Sequence, residues 1–202
     1  MAKLGVIGCV GVLVLALILG GWGIGAYNGL VKLDQEVQGQ WAQVESAYQR
    51  RADLVPNLVE TVKGAAAFEK DTFTAVAEAR SRVGQVSGGA MPNPPSDPVA
   101  FQNFQEAQAG LSSALSRLMV VVEKYPELKA TQAFLDLQSQ LESTENRIAV
   151  ERMRFNDKAR AFNTKRMSFP TVLIAGFFGS RFNEKLYFKA AEGSDKAPQV
   201  KF

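Results

Sequence analysis

Apolar residues in this chain recur every three or four positions, and no stretch alternates apolar with polar between turn residues, so the pattern predicts helices and no strands. A first helix over about 27–52 carries Leu30, Val37, Trp41, Val44 and Tyr48 on one stripe. A second, over about 55–84, carries Val55, Leu58, Val62, Ala66, Phe73, Val76 and Val83. The cluster "SGGAMPNPPSDP" interrupts the period as a loop. A third helix over about 98–124 carries Phe101, Phe104, Leu111, Leu115, Leu118 and Val122. The fourth opens at Pro126 and covers about 127–168. Its residues Phe134, Leu141, Ile148, Phe155, Phe162 and Phe169 fall at seven-residue intervals, the period of long packed bundles.

Within "RRADLVPNLVETVKG" the helical spacing runs through Pro56, a residue that removes a backbone donor and crowds the preceding turn. A helix that starts there, capped by Asp53, places the proline in its first turn, where a missing amide costs nothing. Pro56 therefore reads as a corner, and Pro126 in "EKYPELKA" as a second one. Short links between long helices make neighbours antiparallel. The expected fold is all-α: an N-terminal transmembrane helix (1–26) followed by a long antiparallel up-down four-helix bundle (27–168), with an apolar then polar C-terminal tail (169–202).

The membrane segment follows from Leu4 to Ala26, "LGVIGCVGVLVLALILGGWGIGA", a run without charge. About 20 apolar residues span a hydrocarbon core of about 30 Å. A cleaved secretory signal has a shorter apolar core, and a lipid attachment at Cys9 would precede its apolar stretch rather than follow it. Lys3 and Lys32 flank the run evenly, so charge gives no orientation. Gly21 and Gly25 permit close contact between membrane helices, although glycine is common in such spans.

Composition adds exclusions: 202 residues, 47% apolar and 21% charged, fit one domain plus this appendage and not a disordered chain. There is no histidine, which removes the usual general base and the nucleophile pairs built on it. The sole cysteine lies in the apolar run, and no phosphate-binding loop or paired-cysteine metal motif occurs. The chain is expected to be no enzyme, to have no catalytic or metal-binding residues, to hold no cofactor, and to bind no nucleic acid.

Polar residues on the apolar stripes are the unusual feature. Helical spacing puts Asp34 and Arg51 on the first stripe, Glu69 and Arg80 on the second and Gln108 on the third, while Glu142, Asn156 and Asn163 form a line beside the aromatic seam of the fourth. They pair inside the bundle and fix its register, or they line a groove for a partner peptide, a membrane protein or a second copy. Glu69 and Arg80 are the pair expected to meet.

Length arithmetic sets a further expectation. About 40 residues in the fourth helix extend roughly 60 Å against roughly 39 Å for about 26 in the first, so the fourth overshoots unless the chain bends near Gly20–Gly29. Its basic end would then reach the lipid surface through Arg154, Lys158, Arg160, Lys165 and Arg166. The following "FPTVLIAGFFG" is too short to span and would lie in the interface, cover a neighbouring copy or fold onto its own bundle.

Nearly the whole chain resembles the LemA family. The motifs are "YNGLVKLDQEVQGQWAQVESAYQRRADLVPNLVETVKG", "FQEAQAGLSSALSRLMVVVEKYPELKA", "LQSQLESTENRIAVERMRFNDKARAFN", and "FP" followed by an apolar tail, in that order. The resemblance implies a helical bundle anchored in the bacterial inner membrane by a single pass, with the bundle in the cytoplasm. No molecular activity follows from it. The expected role is a self-associating scaffold or adaptor in contact with membrane lipid; the alternatives are a partner of membrane proteolysis or envelope-stress signalling and a lipid-binding, membrane-shaping protein.

Overall fold

The computed structural model describes residues 2–64, 69–87 and 94–189, and among them every regular element is helical. Helix α1 spans Ala2–Lys63, α2 Lys70–Ser87, α3 Pro98–Val122, α4 the single turn Pro126–Lys129, α5 Gln132–Met167 and α6 Thr171–Phe177. Short 3-10 turns occupy Pro94–Ser96 and Gly179–Phe182. Beyond Phe182 the chain runs on without helix to Lys189. Ala66 and residues 88–93 of the glycine- and proline-rich loop lie outside the described residues.

Pro56 is not a corner, which corrects the expected boundaries 27–52 and 55–84. Helix α1 passes through it without a break, and the chain turns only after Lys63. The missing amide of Pro56 would have bonded the carbonyl of Ala52, four residues back. That carbonyl instead accepts from Nε of Arg80 in α2 at 3.0 Å. The local defect is thus filled by a tertiary donor, and the same bond fastens α2 to α1. Asp53, expected as a cap, sits inside the helix and accepts from Gln49.

The overshoot disappears for the same reason. From Tyr27 to Lys63 helix α1 extends about 55 Å, and α5 about 54 Å, so the two match without a bend. The fourth expected helix is also cut: Pro126 opens one turn, and Thr131 starts α5 by accepting from the amide of Phe134 at 3.4 Å. Helix α3 begins as read, with Asp97 accepting from the amides of Val99 and Ala100 ahead of Pro98 at the first helical position.

Helices α1, α2, α3 and α5 alternate in direction. Arg80 of α2 reaches Ala52, Gln108 of α3 reaches Arg51, and Lys158 of α5 reaches Glu36. The stripes read from the sequence supply the core, which forms two apolar clusters. One, nearer the apolar end of α1, gathers Leu30, Trp41, Phe104, Phe155 and Phe162. The other gathers Val55, Leu58, Leu111, Leu118 and Phe134. Phe169 departs from the seam: it follows the end of α5 and is 82% exposed.

Helix α3 starts level with Trp41, so between Leu30 and Trp41 only α1 and α5 run side by side. The C-terminal segment fills the open place. Phe178 and Phe182 pack on Tyr27, and Phe188 stacks on Trp41 at 5.9 Å between ring centres. Aromatic surface that one thin bundle of four helices would leave bare is covered by the chain's own tail.

Candidate functional site

The polar residues on the stripes fall into three places. The first is a layer between the two apolar clusters. Arg51 is 2% exposed; it donates to Glu145 at 2.8 Å, to Ser112 at 2.9 Å and to the side-chain oxygen of Gln108 at 2.7 Å. Thr144 is buried in the same layer and returns its hydroxyl to the carbonyl of Gln140. A buried guanidinium with one carboxylate and neutral acceptors adds little net stability, because desolvation offsets much of the attraction.

The second place is where the tail meets α5. Asn163 donates to the carbonyl of Lys185 at 2.8 Å and accepts from its amide at 2.9 Å. Asn156 does the same with Phe188, at 2.8 and 2.9 Å. Seven helical residues advance about 10.5 Å and three extended residues about 10 Å, so the two grips are in register. The line read as a possible partner groove is therefore occupied by this chain itself. At the first grip, the ammonium of Lys185 is buried against Asp34 at 2.6 Å and Ser96 at 2.8 Å.

The third place holds the rest. Glu69 pairs with Lys124 at 3.5 Å while Arg80 bonds Ala52, so the expected Glu69–Arg80 pair does not form. Glu142 faces outward with Gln138 and belongs to no seam.

Several residues in these networks escaped the sequence reading. Glu145, not Glu142, is the acid that meets Arg51. Glu151, 6% exposed, accepts from Gln40 at 2.6 Å and from Arg154 at 3.0 Å. Lys185 lies in a segment without helical period, although its place midway between Phe182 and Phe188 was a signal that the tail has a buried face.

Of the basic residues expected at lipid, Arg154 pairs with Glu151, Lys158 with Glu36 at 2.8 Å and Arg160 with Asp157. Arg154 stands about 20 Å along α5 from Met167. Lys165 and Arg166 lie in the last turn, with Arg166 bonding the carbonyl of Phe182.

Electrostatics here are structural in character. The Lys158 ammonium bonded to Glu36 holds that carboxyl below its ordinary value. Burial pushes the carboxyl of Glu45 up, opposed by the Trp41 side chain, and burial pushes the phenol of Tyr48 up against Arg152 and Arg51. Among the described residues no three histidine, cysteine, aspartate or glutamate side chains come together as metal ligands would.

The profile of the LemA family matches residues 40–202, most of the chain, including the segment up to Lys189 that fills the seam. The chain belongs to the LemA family. This LemA-family chain is 27% identical over 179 residues to the magnetosome protein MamQ of Magnetospirillum gryphiswaldense, covering 82% of this chain and 66% of that one. It is 24% identical over 152 residues to the protein LemA of Metamycoplasma hominis, covering 75% and 64%. The LemA-family chain thus spans just under two-thirds of the length of these relatives.

Proposed function

We propose that this protein is a non-enzymatic scaffold, anchored in a membrane by α1 in a single pass and self-associating through its bundle. The observation that carries the reading is where apolar surface is left uncovered. Exposed large apolar side chains are dense over Val10–Ile24 of α1 and over Met167–Phe178, while on the bundle between them they are scattered singly. The charge-free run Leu4–Ala26 lies wholly within α1, and its 23 helical residues are long enough to cross a hydrocarbon core of about 30 Å. Among the described residues Arg51, Asn156, Asn163 and Lys185 use their polar groups to hold helices and tail together.

Self-association is supported by the outer face of α2 and α3. A groove of about 550 Å³ there is lined in part by Ala75, Ala79, Ala107 and Gly110. Glu78, Arg82, Glu106 and Arg117 stand among its lining residues. With both signs present, two copies about a two-fold axis can set acid against base. The membrane-shaping alternative gains from the similarity to a protein named for the magnetosome.

The test is cross-linking of full-length protein in native membranes, with Gly110→Cys in a Cys9→Ser background. A discrete dimer under mild oxidation, weakened by Arg82→Glu, is expected. Monomer alone at every expression level contradicts self-association through this face.

A further inference from the structure

Helix α6 has two faces. Thr171 and Ala175 are buried, and Ile174 reaches within 3.8 Å of where a side chain on Gly23 of α1 would begin. The ring of Phe178 lies 4.7 Å from that of Tyr27. These contacts hold α6 beside residues 23–27 of α1. That level is where the exposed apolar surface of α1 ends, with Ile24 65% exposed and Ala26 the first buried residue among those described.

The other face of α6 and its flank is bare. Phe177 is 84% exposed, Phe169 82% and Leu173 61%. Large aromatic side chains left in water next to a membrane-spanning surface continue that surface. The charge nearest them is basic: residues 158–183 contain five lysines and arginines and no acid, and of the five Lys158 and Arg160 are paired with Glu36 and Asp157. Of these, Lys165, Arg166 and Arg181 lie within five residues of the apolar stretch Phe169–Phe178.

We propose that α6 is a second membrane contact. It rests in the interfacial layer of the leaflet from which α1 emerges, with Phe169, Leu173 and Phe177 at the acyl boundary and Lys165, Arg166 and Arg181 against anionic headgroups. The proposal rests on the reading of α1 as a membrane anchor. Its consequence is mechanical: one helix leaves a bundle free to rotate about the span, whereas a second contact beside it fixes which face of the bundle looks along the membrane.

The experiment uses full-length protein in the Cys9→Ser background, reconstituted in phosphatidylcholine vesicles with and without phosphatidylglycerol. Single cysteines replace Leu17 in the span, Leu173 and Phe177 on α6, and Ser139 on α5. Each carries a nitroxide whose accessibility to oxygen and to a water-soluble nickel chelate is measured. With the anionic lipid present, positions 173 and 177 should match position 17, oxygen-accessible and shielded from nickel, and differ from position 139.

Without the anionic lipid, nickel accessibility at 177 should rise severalfold; no change there overturns the headgroup half of the proposal. Positions 173 and 177 matching 139, while 17 reports lipid, overturn the second contact and leave the anchor standing. Low accessibility to both reagents at 173 and 177 means that another protein surface covers α6, and overturns the lipid assignment. Position 17 reporting water overturns the anchor and the proposal together.

Discussion

The guanidinium of Arg80 bonds the carbonyl of Ala52, the one acceptor in α1 that Pro56 leaves without its intrahelical donor. Arg80→Met should cost about 1–2 kcal/mol, the range for a buried polar group left unpaired. In a Pro56→Ala background the restored amide takes the carbonyl, and Arg80→Met should then cost close to nothing. Thermal unfolding of the full chain in mild detergent gives the cycle; equal losses in both backgrounds show that the two residues act independently.

Arg51 offers a second cycle. Glu145→Gln removes the one carboxylate bonded to a buried guanidinium and should destabilise by about 1–3 kcal/mol, toward the low end because Glu145 is half-exposed. After Arg51→Met the same change should be nearly silent. A loss of the same size in that background would place the cost of Glu145→Gln elsewhere.

Glu45 gives the pH dependence. Burial raises its folded-state pKa above the ordinary 4.5, so the folded chain holds that proton more tightly than the unfolded chain does. The contribution of this group is favourable below the unfolded value and is lost as pH rises through 4.5 and then through the raised folded value. Glu45→Gln should therefore raise the melting temperature at pH 7 and leave it unchanged at pH 3.5. A lower melting temperature at pH 7 would reverse the sign.

The stripes were legible because each helix must bury one face, and period alone finds that face. Leu30, Val37, Trp41 and Val44 sit where the pattern put them. Pro56 misled because a local rule forbids it in mid-helix, and its exception lies 24 residues away in Arg80. Glu142 shares a helical line with Asn156 and Asn163, yet only the packing of α1 and α3 decides that the acid facing Arg51 is Glu145. The tail was hardest. Extended chain held by side-chain amides has no period to read, so Asn156 and Asn163 announced a grip without saying what is gripped.

The seam is closed only while the tail is seated in it, and amide exchange reports that directly. In full-length protein reconstituted in lipid vesicles, the amides of Lys185 and Phe188 should exchange far more slowly than those of an unstructured chain, because Asn163 and Asn156 accept from them. Asn163→Ala should release both, since the grips share one extended strand. Exchange of both amides at the unstructured rate in the wild-type protein would contradict the account: the seam would then be an open groove, and the bundle's membrane-proximal half would lack the element that closes it.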